Sequence, residues 1–332
     1  MTEQPATQLI EAGPAAVAQG ARVLAAGGLV AFATETVYGL GADATNGEAV
    51  ARLYAAKARP SFNPLIAHVA DAAAARAIAR FNRAADALAA AFWPGPLTLV
   101  LPRAAACPVA ELATAGLDSI ALRVPGHPLA LALLRAFGRP VVAPSANRSG
   151  HVSPTTARHV LADLRGRVDL IIDSGPAPLG LESTIIACLE EPLLLRPGAL
   201  PRAAIERVLP LGRSAARPDA IEEGALPLAP GQLASHYAPR ARLRLDARSV
   251  AADEALLAFG PAPLAGAERA VLALNLSARG DLVEAAANLF AHLRALDACG
   301  AKAIAVMPVP REGLGEAIND RLQRAAAPRC GG

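Results

Sequence analysis

Residues 29–46 read "LVAFATETVYGLGADATN", an apolar run followed by a polar stretch that contains glycine. The run "LVAFAT" has the length and composition of a buried strand. Beyond it, Gly39 and Gly41 would let the backbone approach a ligand closely. Hydroxyl and carboxylate groups come from Thr34, Glu35, Thr36 and Tyr38. The stretch therefore predicts a strand that ends in a turn, where α/β proteins often build their sites, although an ordinary tight connection explains the same residues.

The alternation of helix-like and strand-like segments continues along the first 210 residues. Helical spacing occurs over 15–26, 48–58, 71–92, 128–137, 155–165 and 201–209. Further strand-like runs are "PLIAHV", "LTLVLP", "SIALRVP", "VVAPSA", "VDLIIDSG", "STIIACL" and "LLLRPG". About seven strands interleaved with helices predict a layered α/β domain with one large twisted sheet.

A chain of 332 residues is long enough for two domains, each with its own core. The periodicity disappears over residues 211–241, which are rich in proline, alanine and charge, so this segment is predicted to be a linker. Strand-like runs and two helical segments beyond it predict a smaller, Rossmann-like α/β unit. The expected domains are 1–210 and 242–332, joined by the linker 211–241.

Composition argues against several classes of protein. No window reaches the roughly 18 apolar residues of a membrane helix, and the first residues lack the basic and apolar regions of a secretory signal. A cytoplasmic protein without membrane association is therefore expected. The 32 basic and 29 acidic residues nearly cancel, so charge does not argue for nucleic acid. The four cysteines are too widely spaced for a zinc motif, which predicts reduced thiols.

The segment "KARPSFNPLIAHV" begins with Lys57, and only one other lysine, Lys302, occurs in the chain. Because arginine occupies nearly every other basic position, a lysine two residues before Arg59 indicates a compact ammonium that faces a polyphosphate. Both residues also end a predicted helix, whose last carbonyl groups favour cations, so a structural role stays open. His68, in the apolar strand of this segment, taken alone is more typical of a core histidine than of a ligand.

Arg123 lies in the apolar run "SIALRVP", where a charged side chain requires a partner. Its planar guanidinium fits a carboxylate or a phosphate, and each such charged hydrogen bond contributes about 1.5–3 kcal/mol. The residues leave open whether that partner is a ligand or an acidic side chain of the protein.

Three later segments add polar groups. "APSANRSGHVSPTT" carries Ser145, Asn147 and Ser153 ahead of a helix, either as a nucleotide or anion site at the helix N-terminus or as ordinary N-caps. "GLESTII" contains Glu182, and "LLLRPGAL" contains Arg196. These segments bring the predicted site to the end of several strands.

The candidate residues share one chemical character. The four candidate cations are Lys57, Arg59, Arg123 and Arg196. Many hydroxyl groups accompany them, and no Ser/His/Asp or Cys/His pairing is evident. Such a set stabilises negative charge and positions substrates. It predicts phosphoryl or nucleotidyl transfer, a reaction that magnesium usually assists.

Seven motifs in one order resemble the YrdC-like domain of the L-threonylcarbamoyladenylate synthases over about residues 15–210. The motifs are "TETVYGLGADAT", "KARPSFNPLIAHV", "WPGPLTLVL", "ALRVPGHP", "APSANRSG", "LESTII" and "LRPGAL". The second half, which ends in "EGLGEAINDRLQRAA", resembles the C-terminal domain of the long form of that family. Together the two resemblances cover nearly the whole chain.

This resemblance implies a nucleotidyltransferase that converts L-threonine, bicarbonate and ATP, with Mg²⁺, into threonylcarbamoyl-AMP and pyrophosphate. It also implies that the product passes to a tRNA threonylcarbamoyl transferase complex, which modifies the adenosine 3′ of the anticodon. The identity of the metal ligands, the oligomeric state and direct binding of tRNA do not follow from it.

The matching motifs also imply the site residues. Those expected around L-threonine are Thr36, His68, Arg123, Ala143 through its backbone, and Ser183. Those expected around ATP are Lys57, Arg59, Asn63, Ser119, Ser145, Asn147, Ser153, Arg196 and Tyr237. Arg123 is expected to pair with the threonine carboxylate, and Lys57 with Arg59, the expected catalytic pair, to face the polyphosphate.

Within the predicted linker, residues 230–239 read "PGQLASHYAP". A simple spacer does not need a histidine beside a tyrosine. We therefore expect the linker to fold back over the first domain, where Tyr237, with His236, closes the ATP pocket against water. The motif lacks the basic residue that commonly precedes "HYAP" in the family, so a stiff spacer is the alternative.

Two other functions are compatible with parts of the sequence. An RNA-binding module without catalysis would use the concave α/β surface, but the low aromatic content of 3% argues against stacking on bases. A related carbamoyl-adenylate-forming enzyme with another substrate is the other alternative, because YrdC-like domains also occur in hydrogenase maturation proteins.

Overall fold

The computed structural model describes residues 6–212, 227–230 and 237–328, which form two sheets with helices packed around them. The strands are β1 (Gln8–Glu11), β2 (Val30–Ala33), β3 (Tyr38–Asp43), β4 (Ile66–His68), β5 (Leu97–Pro102), β6 (Ser119–Arg123), β7 (Val141–Val142), β8 (Leu170–Asp173), β9 (Thr184–Ala187), β10 (Leu193–Arg196), β11 (Arg242–Arg244), β12 (Glu254–Ala258), β13 (Ala273–Asn275) and β14 (Ala303–Val306). The helices are α1 (Pro14–Ala25), α2 (Gly47–Lys57), α3 (Ala72–Ile78), α4 (Arg83–Phe92), α5 (Glu111–Thr114), α6 (Pro128–Phe137), α7 (Ala157–Leu164), α8 (Arg202–Glu206), α9 (Leu282–Ala298) and α10 (Leu314–Ala326).

The first sheet has ten strands in the order β1-β8-β2-β3-β7-β4-β6-β5-β9-β10, with both parallel and antiparallel neighbours. This confirms the predicted α/β class with one large sheet, although the sequence indicated only about seven strands. The clearest omissions are β1 and β3. The two glycines of "YGLGAD" have low strand propensity, so pattern alone does not mark β3 as a strand.

The stretch 29–46 is a β-hairpin, not a strand that ends in a turn. β2 pairs antiparallel with β3, and the Thr34 hydroxyl donates to the Val37 carbonyl oxygen at 2.7 Å to close the turn between them. A Cβ at Gly41 would lie 2.8 Å from the Phe32 ring, and one at Gly39 would lie 3.2 Å from the Ala143 Cβ. The two glycines therefore permit close packing of the sheet, where we expected close approach to a ligand.

The tract 71–92 forms two helices instead of the one that its alanine content predicts. Asp71 caps α3, and the Asn82 side chain accepts from the Ala85 amide at 2.9 Å to begin α4. Between them Ala79 pairs with Arg103 in an isolated β-bridge. A second N-cap and this bridge interrupt what would otherwise be a continuous helix.

The second sheet has four parallel strands in the order β11-β14-β12-β13, with α9 and α10 packed against it. This confirms the smaller α/β unit predicted for the C-terminal part. The expected boundaries at 210 and 241 stay predictions.

One hydrophobic core joins the two units. Val152 and Leu181 of the first unit are buried in the same cluster as Leu289 and Phe290 of α9. Two ion pairs flank this apolar contact. Arg294 of α9 pairs with Asp163 of α7 at 2.6 Å, and Arg202 of α8 pairs with Glu316 of α10 at 2.7 Å. The C-terminal unit is therefore packed tightly on the first.

Gly180 lies in close contact with the backbone of α9. Its φ is +67°, and an added Cβ would overlap the Ala286 carbonyl oxygen and lie 2.5 Å from the Ala287 Cα. We expect Gly180→Ala to lower the free energy of unfolding by about 3 kcal/mol or more, because backbone strain and overpacking both act there. Gly175→Ala is the matched control, since its φ is +80° and nothing lies within 4 Å of an added Cβ. Urea unfolding measures the free energy of unfolding of both variants. Equal losses of stability would show that α9 shifts to accommodate the added methyl group at position 180.

Two other expectations concern composition. Across the described ranges, no helix combines the length and apolar character needed to cross a membrane. The thiols of Cys107, Cys188 and Cys299 are free, as predicted, while Cys330 lies outside the described residues.

Candidate active site

A buried cleft lies against the face of the first sheet that carries His68 and Arg123. Its lining is Thr36, Val37, Arg59, Ile66, His68, Arg123, Ala143, Pro144, Ser145, Glu182, Ser183, Arg196, Pro230 and Tyr237. This set includes nine of the fourteen residues that the sequence predicted for the site. The other five, Lys57, Asn63, Ser119, Asn147 and Ser153, are buried but are not part of the lining. The cleft therefore brings together segments that lie far apart in the sequence.

Strand pairing explains the placement of two central side chains. β4 and β6 run parallel, with His68 directly beside Arg123 at their carboxyl ends. Alternation along β6 places Ser119 on the same face as Arg123, about 13 Å away at the start of the strand. Ser119, which was expected near ATP, therefore lies toward the other end of this sheet face from Arg123, which was expected near threonine.

Arg123 is held by three hydrogen bonds. Its guanidinium donates to the Glu35 carboxylate at 2.6 Å, to the Thr36 hydroxyl at 2.9 Å and to the Gly95 carbonyl oxygen at 3.2 Å. Burial alone would raise the pKa of Glu35, but Arg123 holds that pKa below its ordinary value. The internal salt bridge considered from the sequence thus exists. Because these bonds use three of the five guanidinium N–H groups, two remain available to a ligand in the cleft.

His68 is a neutral side chain in this cleft. It is 2% exposed, and its Nδ1 lies 3.2 Å from the Ile66 carbonyl oxygen. Burial and the neighbouring Arg123 lower its pKa to about 3. The imidazole therefore offers a hydrogen bond, not a positive charge, at neutral pH.

Arg196 and Ser183 form one unit on the opposite wall. The Arg196 guanidinium donates to the Ser183 carbonyl oxygen at 2.8 Å and to its hydroxyl at 3.2 Å, and the same hydroxyl lies 2.8 Å from that of Thr98. Burial lowers the pKa of Arg196. These bonds fix the position of the Ser183 hydroxyl, and Ser183 lines the cleft.

Arg59 is anchored by the loop that follows α2. Its guanidinium donates to the carbonyl oxygens of Asn63 at 3.3 Å and Pro64 at 3.0 Å. Burial lowers the pKa of Arg59 to about 10, so it remains a cation at neutral pH. The motifs that supply the site also contain two buried side-chain amide oxygens, Asn63 Oδ1 and Asn147 Oδ1. Neither has a hydrogen-bond partner among the described residues.

Lys57 reaches the site from behind its lining. Its Nζ donates to the carbonyl oxygens of Ser145 and of Asn147, the latter at 2.5 Å. Burial, and next the charge of Arg59, lower the pKa of Lys57 well below its ordinary value. The side chain thus shapes the backbone of the 145–147 loop, and its expected role toward a polyphosphate stays a prediction.

Tyr237 and Pro230, both from the predicted linker, form the outer wall of the cleft. Arg196 donates to the Pro230 carbonyl oxygen at 3.3 Å, and the Ala238 amide donates to the Gly150 carbonyl oxygen at 2.8 Å. The enclosed free space is only about 50 Å³, whereas ligand sites typically measure about 300–1,000 Å³. His236 lies outside the described residues.

The sequence did not identify two acidic residues of this site as partners of its arginines. Glu35 pairs with Arg123, and Glu182 accepts from the Ser153 hydroxyl at 2.6 Å and from Arg321 at 2.8 Å. Both glutamates lie in motifs that the sequence analysis assigned to the site. An acidic residue among these cationic motifs could therefore have indicated an ion pair. Arg321 comes from the C-terminal unit, and nothing local to it predicts this contact.

Comparisons with known proteins agree with the fold and the site. Two family models match consecutive parts of the chain. The Sua5/YciO/YrdC model, described as "Telomere recombination", matches residues 22–198, and the model of the "Threonylcarbamoyl-AMP synthase, C-terminal domain" matches residues 200–327.

Individual relatives cover nearly the whole chain. Threonylcarbamoyl-AMP synthase from Bacillus subtilis is 41% identical over 94% of this chain and 93% of its own length. The protein of the same name from Pyrococcus abyssi is 41% identical over 91% and 92%. The crystal structure of P. abyssi Sua5 complexed with L-threonine superposes with a TM-score of 0.85 at 36% identity, and covers 97% of both chains.

Proposed function

Because this chain belongs to the family of threonylcarbamoyl-AMP synthases, we propose that its cleft joins L-threonine, bicarbonate and ATP into threonylcarbamoyl-AMP and pyrophosphate. The protein is an enzyme that uses ATP and transfers an adenylyl group. The observation that best supports this cleft as the reaction site is the convergence of Arg59, Arg123 and Arg196 in one buried space.

The chemistry requires charge stabilisation more than a protein nucleophile. The threonine amino group adds to bicarbonate with loss of water and gives a carbamate. A carbamate oxygen then attacks the α-phosphorus of ATP, and the bond to the β-phosphate oxygen breaks to release pyrophosphate. Cations and oriented donors stabilise the negative charge that develops on the phosphates.

The threonine is proposed to bind at the Arg123 end of the cleft. Arg123 would pair with the substrate carboxylate through N–H groups that its protein partners leave available, while Glu35 and Thr36 hold the guanidinium in place. His68 and Ser183 line the same end and offer neutral hydrogen-bonding groups. The complex of P. abyssi Sua5 with L-threonine supports this assignment by its overall likeness.

ATP is proposed to occupy the rest of the sheet face. Arg59 and Arg196 line the cleft and would contact the phosphates. Lys57 would add a positive charge behind the 145–147 loop, whose backbone it already holds. Asn63, Ser119, Asn147 and Ser153 surround this region as buried polar residues.

Magnesium is proposed to enter with ATP. Within the ranges that the structure describes, no group of three or more His, Cys, Asp or Glu residues could hold a metal ion. Mg²⁺ commonly binds substrate phosphates and keeps several waters, so an acidic cage is not required. The buried Asn63 and Asn147 amide oxygens are suitable additional donors. The ion would neutralise part of the polyphosphate charge.

Threonylcarbamoyl-AMP is a reactive mixed anhydride, so we propose that a tRNA threonylcarbamoyl transferase complex accepts it directly from this enzyme. Such a hand-off is expected in the cytoplasm. No contact among the described residues favours the RNA-binding alternative over catalysis. A substrate panel distinguishes a related carbamoyl-adenylate activity.

Pyrophosphate release tests the proposed function. The purified full chain with ATP and Mg²⁺ should release pyrophosphate only when both L-threonine and bicarbonate are present. Serine in place of threonine is the control for substrate choice. Release that proceeds equally without threonine or without bicarbonate would contradict the function.

Tyr237→Ala should weaken ATP binding. The tyrosine ring is 1% exposed and stacks on Phe290 with centroids 5.5 Å apart. Its removal opens the wall of the ATP pocket to water, so we expect the KM for ATP to rise roughly 10-fold. Tyr237→Phe, which keeps the ring, should stay much closer to the wild type. An unchanged KM in a folded Tyr237→Ala enzyme would favour the spacer interpretation of the linker.

A further inference from the structure

Arg321 of α10 is a fully buried arginine that extends from the C-terminal unit to the cleft. Its side chain is 0% exposed. It donates to the Glu182 carboxylate at 2.8 Å and to the Pro197 carbonyl oxygen at 3.0 Å, and it also pairs with its neighbour Asp320 at 2.5 Å. A charge is buried at such a place only with a well-formed set of partners.

Glu182 connects this arginine to the predicted nucleotide residues. One carboxylate oxygen accepts from Arg321, and the other accepts from the Ser153 hydroxyl at 2.6 Å. Glu182 also precedes Ser183, to which Arg196 donates. Burial alone would raise the pKa of Glu182, but the charges of Arg321 and Arg196 and the bonds from Ser153 and Arg321 hold it below its ordinary value. Without Arg321, the negative charge of the buried Glu182 carboxylate would be less well neutralised beside the region proposed for the ATP phosphates.

Tyr237 depends on the same arginine. The Arg321 guanidinium lies over its ring, 5.1 Å from the centroid, and Phe290 stacks on the same ring. The tyrosine backbone is in the left-handed region, with a φ of +62°. A non-glycine residue in this conformation is retained when surrounding contacts hold it there. Arg321 and Phe290 are two such contacts, and both come from the C-terminal unit.

We propose that Arg321 is a positioning residue of the adenylation reaction, through which the C-terminal unit sets Glu182, Ser153 and Tyr237 around ATP. This inference rests on the proposed function. It assigns the C-terminal unit a direct part in building the site, because the outer wall and one carboxylate of the cleft take their positions from a residue of α10.

The ion pair between Arg202 and Glu316 also joins the two units but does not have this connection. Arg202 and Glu316 are each about one-third exposed, and neither lines the cleft. Their pair joins α8 to the same helix α10, so Arg202→Met breaks an ion pair between the units without touching the site. It serves as the matched control.

The test measures pyrophosphate release by the full chain at saturating threonine and bicarbonate, with ATP varied. Arg321→Met should lower kcat/KM for ATP by about 100-fold, mostly through a higher KM, because displaced binding groups cost on that order. The KM for threonine should change much less. Arg202→Met should behave like the wild type. The double variant Arg321→Met/Glu182→Gln removes both charges, so its kcat/KM for ATP should be about 10-fold higher than that of Arg321→Met. The single variant Glu182→Gln completes the double-mutant cycle.

The outcomes separate the two proposals. Threonine-dependent release that is equal in the wild type, Arg202→Met and Arg321→Met overturns the role of Arg321 alone, whereas release without threonine in the wild type contradicts the function itself. A fall in kcat with both KM values unchanged, and no recovery in the double variant, overturns positioning and leaves a packing role. If Arg321→Met does not fold, Arg321→Lys decides: it keeps the charge but lacks a planar group over Tyr237, so wild-type kinetics would overturn the proposal.

Discussion

Arg123→Ala is expected to lower kcat/KM for L-threonine by about three orders of magnitude, since breaking a buried charge pair costs roughly 3–5 kcal/mol and each 1.4 kcal/mol is tenfold. The loss should appear in pyrophosphate release with threonine varied, chiefly as a higher KM. Two effects add up here. The substrate carboxylate loses its cationic partner, and the cleft gains an uncompensated carboxylate on Glu35.

Because Arg123 also pairs with Glu35, the loss of threonine binding can be measured separately from the loss of stability. Glu35 already has one buried oxygen, Oε2, without a hydrogen-bond partner among the described residues. The double variant Arg123→Ala/Glu35→Gln removes the uncompensated charge and should recover much of the lost stability, measured as the midpoint of urea unfolding. It should not recover threonine binding, because no cation returns.

Arg76→Ala provides the control for the loss of an arginine as such. Arg76 pairs with Asp86, but both side chains are about half exposed. Such surface pairs contribute about 0.2–1 kcal/mol, so activity should be unchanged. An Arg123→Ala enzyme with the wild-type KM for threonine would refute the carboxylate assignment.

Lys57→Met should reduce kcat by roughly 10²–10³-fold, the usual effect of removing one donor that stabilises developing charge. The side chain is 1% exposed, and its Nζ satisfies the carbonyl oxygens of Ser145 and Asn147. Methionine fills a similar volume but leaves both oxygens without this donor, so the 145–147 loop should shift. The same substitution removes the positive charge expected near the polyphosphate.

Single-turnover measurements with saturating ATP and threonine distinguish slower chemistry from weaker binding. Lys302→Met is the matched control, because Lys302 is the other lysine of the chain and its side chain is 82% exposed beside Asp253. Lys57→Arg should not restore the rate, since a guanidinium is larger than the buried ammonium site. Full activity in Lys57→Met would limit Lys57 to a structural part in holding the 145–147 loop.

The residues of the site were predictable where they form local motifs. "KARPSFNPLIAHV" carries Lys57, Arg59, Asn63 and His68 within a short segment, and the strand pattern around His68 and Arg123 placed both on a sheet. The ion-pair partners of the site residues could not be predicted in this way. Arg123 meets Glu35 across 88 positions, and Arg321 meets Glu182 across 139. Nothing in a local pattern pairs such distant charges.

The strand β3 shows the same limit for the fold. Its sequence "YGLGAD" has weak strand propensity, and pairing with β2 on one side and β7 on the other makes it a strand. Glycine serves there because a Cβ at position 41 would overlap the Phe32 ring of β2, and one at position 39 would lie only 3.2 Å from the Ala143 Cβ. Tertiary packing thus overrides local propensity.

The sequence by itself determined the α/β class, the two-unit organisation, the family and most residues of the cleft, because periodicity and compact motifs are local properties of a chain. Only the tertiary structure decided how the charges of the site are paired, that Phe290 and Arg321 hold Tyr237 in the wall of the cleft, and that α10 reaches the cleft through Arg321. The reason is physical. An ion pair or a ring contact depends on the positions that the sheets and helices give to distant residues, and those positions arise only when the cores of the two units pack together.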